Sequence, residues 1–199
     1  MPTPARVAVV PKEKGLLSIV EVVLPDPLPH EVVIKQFSSG VCHSQLHQIH
    51  NPRETPVVLG HESTGVVIAK GSHVSHVKEG DSVMVTWVPR NKADNPQPTR
   101  PATLKLPDGT TAVSQNVFTW ADKTIADEQY VVRIPDDTAK DVTSVIACAV
   151  ITGAGAVLYT AGVKKGESVA VFGVGGGGTL RNCRSEGGGR RPDYRRGSG

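Results

Sequence analysis

Short runs of β-branched residues, separated by Pro, Gly and Asp, dominate the first 90 residues and constrain the fold more than any other feature. The runs lie at residues 7–10, 18–24, 31–37, 65–69 and 81–88. Val and Ile favour strands, whereas Pro, Gly and Asp interrupt them. Strands this short and closely spaced predict a small barrel or sandwich, with one short helix at 41–50.

The pattern changes after residue 89. Residues 89–119 are polar and contain prolines, which predicts a long loop with a turn at 107–110, before a further strand at 130–134. Small and apolar residues recur at helical spacing over 136–161 and predict two helices broken near 148–155. The apolar run at 168–173 ends in glycine, which is typical of a strand buried in a parallel sheet. The predicted fold class is therefore mainly β, followed by the start of an α/β unit.

Residues 176–199 differ from the rest of the chain in composition. They hold six of the 22 Lys and Arg residues and eight of the 21 glycines, against two of the 19 acidic residues. The formal net charge of +3 therefore comes from this tail, and the remainder is near neutral. With Leu180 as its one aliphatic residue, the tail is predicted to be disordered.

Two interpretations of the tail stay open. The first is coding sequence read out of frame from about residues 175–178 onward. The second is a Gly/Arg segment that contacts nucleic acid, a reading disfavoured because Tyr194 is the tail's one aromatic residue for base stacking.

Several classes of protein are excluded by the sequence. No apolar run approaches the ~18–20 residues of a membrane span, and the start of the chain has no apolar signal core. Three cysteines are too few, and odd in number, for a disulfide framework. The sequence thus predicts a cytoplasmic protein, in which a free cysteine is a packing residue, a metal ligand or a reactive thiol.

Three residues are candidates for a metal site: Cys42, His61 and Cys148, each beside a glycine or a predicted turn. Thiolate and imidazole are the usual zinc ligands, and a catalytic site takes three of them and keeps a fourth position open. A single Cys or His is more often a packing or surface residue, so the prediction depends on the three sites occurring together in this order.

The motifs around these residues resemble those of the zinc-dependent alcohol dehydrogenases of the medium-chain dehydrogenase/reductase superfamily. The likeness covers roughly residues 5–175 and depends on four motifs: P-V-V-L-G at 56–60, G-H-E-x-x-G-x₅-G-x-x-V at 60–74, E-G-D-S-V at 79–83 and C-x₃-T-G-x-G-A at 148–156. The resemblance implies a GroES-like barrel at 1–135 and the start of a Rossmann domain at 136–178, followed by the tail at 179–199.

The resemblance also implies roles for individual residues. It makes Cys42, His61 and Cys148 the ligands of one catalytic zinc, with Glu62 beside the metal as an alternative ligand. It implies that Ser44 binds the substrate alcohol.

Further implied roles concern the proton and the cofactor. His47 would end a proton relay, and His43 would lie near the cofactor phosphate. Gln45 stands where the family usually has an Asp; its carbonyl can still accept a ring N–H from the ligand histidine, but without charge. Residues 89–119 contain no cysteine, so no structural zinc is expected.

A glycine motif after the apolar run at 168–173 predicts the cofactor site. Gly173, Gly175 and Gly178 form G-x-G-x-x-G, whose glycines allow a tight turn and close approach of a pyrophosphate to a helix N-terminus. Together with Thr152 they are the candidate contacts for NAD or NADP. The sequence that follows lacks a helical pattern, so the chain is expected to be a C-terminally truncated member of the family.

The expected function is NAD(P)-dependent oxidation of an alcohol to an aldehyde or ketone, or the reverse, at zinc. The chain itself is expected to bind zinc but to be impaired in catalysis. The alternatives are a catalytically inactive zinc-binding fragment and a protein with a basic tail that binds nucleic acid. The expected partner is a small-molecule alcohol or aldehyde, not a membrane or nucleic acid. Family members oligomerise, but this chain is expected to lack most of that interface.

The remaining histidines are predicted to be unremarkable in function. His73 and His76 are three residues apart and could form a metal pair, but they are predicted to be solvated turn residues. His30 and His50 are predicted to lie on the surface.

Overall fold

The computed structural model describes residues 3–13, 15–90, 101–173 and 175 of the chain. In this part of the chain ten strands form two five-stranded sheets. The strands are β1 Thr3–Val10, β2 Ser18–Leu24, β3 Glu31–Ser39, β4 Val57–Val58, β5 Ser63–Lys70, β6 Ser82–Val85, β7 Thr103–Lys105, β8 Thr111–Val113, β9 Lys123–Asp127 and β10 Val131–Arg133. The α-helices are α1 Ser44–His50, α2 Lys140–Thr143 and α3 Ala149–Gly155.

The first sheet has the order β2-β1-β4-β8-β7 and the second has the order β10-β6-β5-β3-β9. Their pairings are antiparallel apart from that of β4 with β8, which is parallel. The prediction of a mainly β fold built from short strands is therefore confirmed.

Strand β3 contains a run of apolar residues that does not alternate with polar ones, because both of its faces are buried. Val32 and Ile34 point into one core cluster and Val33 into the other, and all three are at most 1% exposed. Since successive side chains of a strand point to opposite faces, β3 must be apolar on both faces to separate two cores.

Residues 120–122 join the two sheets. Ala8 of β1 donates a backbone hydrogen bond to Trp120 (2.8 Å), and Gln36 of β3 donates one to Asp122 (2.9 Å). Val7 also forms an isolated antiparallel bridge with Ala121. This crossover carries the chain from the first sheet to β9 of the second.

The prediction of a long loop at 89–119 is wrong for its second half, where β7 and β8 pair as a hairpin. The turn at 107–110 is correct: Gly109 has a φ of 84°, and the Asp108 carboxylate accepts bonds from the Thr110 backbone and hydroxyl. Each strand buries one central residue, Leu104 or Ala112. A strand of three residues with a single buried position gives too weak a sequence pattern to be predicted.

The chain divides into two compact units, Met1–Cys148 and Ala149–Gly199. In the first unit, α2 continues as a 3₁₀ turn at Ser144–Ala147. The helix break is at Cys148, whose φ and ψ are −136° and −65°. In the second unit, α3 continues into a π-helical turn at Ala156–Thr160. The predicted break is thus narrower than residues 148–155, because 149–155 are helical.

The predicted strand at 168–173 is not formed: these residues have no regular secondary structure, and Phe172 is 94% exposed. A strand of a parallel sheet needs hydrogen-bonded neighbours, and no described strand pairs with this run. Gly178 and the tail 179–199 lie outside the described residues. The domain boundaries at 135 and 178 therefore stay predictions.

No single helix in the described ranges is long and apolar enough to cross a membrane. Two consecutive helical segments, Lys140–Ala147 and Ala149–Thr160, are long and apolar enough only when taken together, and they are bent at the break between them.

Candidate metal centre

The three predicted metal ligands lie together in the first unit. One donor atom from each of Cys42, His61 and Cys148 lies within 4.8 Å of the other two. The Cys148 and Cys42 sulfurs are 3.8 Å apart, and His61 Nε2 is 3.3 Å from Cys148 Sγ. In the described part of the chain this is the one group of at least three such donors that lies so close together.

The spacing of these donors fits a zinc ion. Two sulfurs bound at about 2.3 Å to a tetrahedral zinc are about 3.8 Å apart, which matches the sulfur separation of Cys42 and Cys148. A disulfide would need about 2.05 Å between the sulfurs, and both cysteines are free. Two thiolates and one imidazole leave a fourth tetrahedral position, as in catalytic zinc sites.

Cys42 is held by the turn that leads from β3 into α1. Its backbone N–H donates to the side-chain oxygen of Gln45 at 3.0 Å, and the Ser44 hydroxyl donates to its sulfur at 3.3 Å. Gln45 is only 1% exposed. Its carbonyl therefore fixes the loop of Cys42, rather than accepting a ring N–H of His61 as the sequence suggested.

His61 follows a tight backbone approach at Gly60. The Leu59 carbonyl accepts bonds from the backbone N–H groups of Thr119 and Trp120, both at 3.0 Å. Gly60 has a φ of 97°, and a Cβ there would lie 2.5 Å from the Trp120 nitrogen. Only glycine fits this conformation and this space. Burial lowers the pKa of His61, which favours the neutral imidazole that binds metals.

Cys148 follows the helical segment 140–147, which is anchored on the second sheet. The Ser38 hydroxyl donates to the Lys140 carbonyl at 2.9 Å, and the Thr64 hydroxyl donates to the same oxygen. At the other end, Thr86 donates to the Ala147 carbonyl at 2.9 Å. These bonds from β3, β5 and the end of β6 place Cys148 beside His61.

Glu62 is buried, but it does not belong to the three-donor group. Its side chain packs against the Cα of Gly40, where a Cβ would lie 2.6 Å from the Glu62 carboxyl carbon. The Gly40 N–H also donates to the Glu62 carbonyl at 2.9 Å. Its role as an alternative zinc ligand stays a prediction.

Gly40→Ala is expected to displace the Glu62 carboxylate and to lower the free energy of unfolding by about 1–3 kcal/mol, the usual range for overpacking. Urea denaturation of zinc-free protein measures this cost. In the background Glu62→Ala the same glycine substitution should cost less, because the overlapping carboxylate is gone. Equal costs in the two backgrounds would show that Gly40 and Glu62 are not coupled.

The remaining predicted site residues fall in two places. His43, Ser44 and His47 are exposed on α1 or its first turn, with the two imidazole centroids 5.6 Å apart. In the second unit, Thr152 is exposed on α3, and Gly173 has a φ of 94°. The catalytic and cofactor roles of these residues, and those of Gly175 and Gly178, stay predictions.

The structure also contains a cluster that the sequence did not predict, formed by His30, His73, His76 and Glu128. His76 is half-buried rather than solvated, with Nδ1 3.3 Å from the Glu128 carboxylate and Nε2 3.0 Å from the Val131 carbonyl. Burial and, less strongly, the Arg90 charge lower the pKa of His76. The spacing of His73 and His76 was the available signal, but nothing in the sequence pointed to Glu128.

Comparisons with known proteins agree with this fold. The profile of the alcohol dehydrogenase GroES-like domain matches residues 28–136. An S-(hydroxymethyl)glutathione dehydrogenase of Komagataella pastoris is 33% identical over 183 residues, covering 80% of this chain and 48% of that protein.

Two solved structures share the fold. One is an alcohol dehydrogenase zinc-binding domain protein from Burkholderia ambifaria, with a TM-score of 0.82 and 24% sequence identity. The match covers 95% of this chain and 57% of the Burkholderia chain. The other is CAD from Helicobacter pylori, complexed with NADP(H), with a TM-score of 0.74 and 22% sequence identity. The match covers 95% of this chain and 58% of the Helicobacter chain.

Strand order, the three-donor site and the matching profile define a GroES-like domain of the medium-chain dehydrogenase type with a candidate metal centre. The chain belongs to the alcohol dehydrogenase GroES-like domain family. It spans about half the length of the curated relatives that it matches.

Proposed function

We propose that the Cys42–His61–Cys148 centre binds zinc and serves the NAD(P)-dependent interconversion of an alcohol with an aldehyde or ketone. The observation that carries the proposal is the sulfur separation of 3.8 Å, with His61 Nε2 3.3 Å from Cys148 Sγ. When bound, zinc supplies Lewis acidity, which lowers the pKa of an alcohol at the open position. Substrate binding and proton transfer must come from the side chains around the site.

The Ser44 hydroxyl is the group best placed to handle the substrate proton. It already lies 3.3 Å from Cys42 Sγ, at the edge of the donor group, and it is exposed. A hydroxyl can accept one proton while donating another, so Ser44 can pass the proton of the alcohol outward. His47 lies one turn further along α1 and is exposed to solvent, so it is proposed as the final acceptor.

The cofactor is proposed to be NAD or NADP, with His43, Thr152, Gly173, Gly175 and Gly178 as its contacts. Support comes from the glycine motif and from the positive φ of Gly173. The Helicobacter pylori structure, which shares this fold, is a complex with NADP(H). Hydride transfer requires the nicotinamide to be held about 3–3.5 Å from its partner.

A second candidate function is a zinc-binding chain without dehydrogenase activity. The irregular, exposed backbone of residues 168–173 favours it, since the glycine motif positions a dinucleotide only when it follows a strand. We expect this chain, by itself, to bind zinc and to have little turnover.

The two functions are separated by three measurements on the full chain: zinc content, nicotinamide affinity and turnover. Substrates are primary and secondary alcohols, including S-(hydroxymethyl)glutathione, for which the Komagataella pastoris relative is named. Bound zinc with cofactor-dependent turnover, lost in Cys42→Ser but kept in Cys183→Ser, supports the dehydrogenase. Bound zinc without turnover supports the inactive chain, and a chain that binds no zinc contradicts both.

The proposed partners and location follow from the same function. The substrate is a small alcohol or aldehyde, and the reduced cysteine pair suits the cytoplasm. Neither a membrane nor nucleic acid is proposed as a partner. Assembly through the interface used by the family is not proposed for this chain.

A further inference from the structure

A second set of metal-binding side chains lies in the first unit, formed by none of the residues of the zinc centre. The imidazoles of His30 and His73, here called the histidine pair, meet edge to face, with ring centroids 4.9 Å apart. His30 Nε2 is 3.1 Å from His73 Nδ1. His30 is partly exposed and His73 is exposed, so the pair is accessible to solvent ions.

A buried carboxylate orients the first ring of the pair. His30 Nδ1 lies 2.6 Å from Glu128 Oε1, and the Glu128 side chain is only 8% exposed. A carboxylate accepts, so Nδ1 must donate its proton, and the neutral ring then keeps its lone pair on Nε2, which faces His73. This carboxylate–histidine arrangement is the one that fixes the tautomer and raises the basicity of metal-binding histidines.

The other oxygen of the same carboxylate faces a further imidazole. Glu128 Oε2 lies 3.3 Å from His76 Nδ1. The Glu128 carboxylate therefore lies between two imidazoles, and its shorter contact is the one to His30.

The backbone holds the two histidines in place. His73 donates a backbone bond to the Pro29 carbonyl (2.9 Å), and Gly71 donates one to Glu31 (2.8 Å). Glu128 donates to the carbonyl of His30 itself at 2.8 Å. The loop before β3, the loop after β5 and the turn after β9 are thus tied together, so little conformational entropy is lost when a ligand bridges them.

The separation of the two nitrogens suits one bound ion. Nitrogens at about 2.0–2.1 Å from a metal are about 2.9 Å apart at a right angle and about 3.4 Å apart at the tetrahedral angle. The observed 3.1 Å lies between these values. An ion could therefore bridge the two nitrogens at their present separation once each ring has turned its lone pair toward it and the His73 proton has moved to Nε2, and water would complete its coordination.

We propose that the histidine pair is a second metal site, which binds one divalent late transition-metal ion through His30 Nε2 and His73 Nδ1. Imidazole nitrogens select Zn²⁺, Ni²⁺ and Cu²⁺ over Mg²⁺ and Ca²⁺. Glu128 is a positioning residue for this site and not a ligand. The exposed pair His43 and His47 on α1 is the competing candidate, but its ring centroids are further apart, at 5.6 Å.

The test is calorimetric titration with Ni²⁺ of the full chain loaded with one equivalent of zinc, which fills the three-donor centre and leaves the histidine pair open. Wild type should bind one Ni²⁺, and His73→Ala should bind it at least about tenfold more weakly. His47→Ala removes a histidine of the competing pair and should titrate like wild type. Because His73 is exposed, its replacement is not expected to unfold the protein, and circular dichroism checks this.

Glu128→Gln provides the second variant. Loss of an orienting carboxylate costs about 10–100-fold in metal affinity, with the stoichiometry unchanged. The proposal is overturned if wild type takes up no Ni²⁺, if His73→Ala binds as tightly as wild type, or if His47→Ala loses the binding instead. A Glu128→Gln variant with unchanged affinity would overturn the positioning role alone.

Discussion

Replacing Cys42 with serine should abolish tight zinc binding at the Cys42–His61–Cys148 centre without unfolding the first unit. The Cys42 sulfur supplies one of the three donors, whereas its backbone bond to Gln45 does not involve the side chain and would persist. Loss of an outer-shell partner alone costs about 10–100-fold in metal affinity. Loss of a ligand should therefore cost more than about 100-fold, measured by competition with a chromophoric chelator.

Cys183→Ser is the matched control, since it removes the third cysteine of the sequence and none of the three donors. Its zinc affinity should equal that of wild type. Zinc should also raise the melting temperature of wild type and of this control, because a ligand that binds only the native state stabilises it. Zinc affinity retained in Cys42→Ser, or lost in Cys183→Ser, would place the metal elsewhere.

The zinc donors could be predicted from the sequence because the surrounding motif encodes local shape. Gly65 packs against the backbone of β3, where a Cβ would lie 2.5 Å from the Lys35 carbonyl oxygen. Gly60 has both a positive φ and a close neighbour in Trp120. Glycines with such requirements tolerate few alternatives, so their spacing identified the loop that carries His61.

The strands were predictable where β-branched residues are concentrated, as in β2, where they are four of the seven residues, and in the run Val32–Ile34 of β3. They were not predictable in β7 and β8, each of which buries a single central residue between partly or fully exposed ones. The strand at 168–173 shows the opposite error. Its sequence is apolar enough, but a strand in a parallel sheet is stabilised by its neighbours, which local pattern cannot supply.

Side-chain partners far apart in sequence were beyond prediction. His30 and Glu128 are separated by 98 positions and meet only because β3 pairs with β9. Gln45 illustrates the same limit at short range: its residue type allowed a bond to a histidine ring, but the turn geometry directs its oxygen to the Cys42 N–H. Both contacts depend on backbone placement and not on residue type.

Gly71→Ala should destabilise the protein by about 3 kcal/mol or more, at the upper end of the range for overpacking. A Cβ at Gly71 would overlap the carbonyl oxygens of Leu28 and Pro29 and lie 2.5 Å from the Pro29 carbonyl carbon. These are backbone atoms that cannot rotate away as a side chain can. The Gly71 N–H also donates to Glu31 at 2.8 Å, so moving the loop would break a bond at the start of β3.

Urea denaturation of the zinc-free protein measures this loss, with Gly80→Ala as the matched control. Gly80 has a φ of 88° but nothing within 4 Å of a built Cβ, so alanine there meets backbone strain alone, about 1–2 kcal/mol. Gly71 has no positive φ, so its variant meets the overlap without that strain, and any excess cost over Gly80→Ala is a lower bound on the steric term. If Gly71→Ala costs no more than Gly80→Ala, the loops around residues 28–31 and 71–73 can separate easily, and the rigidity argued for the histidine pair would fail with them.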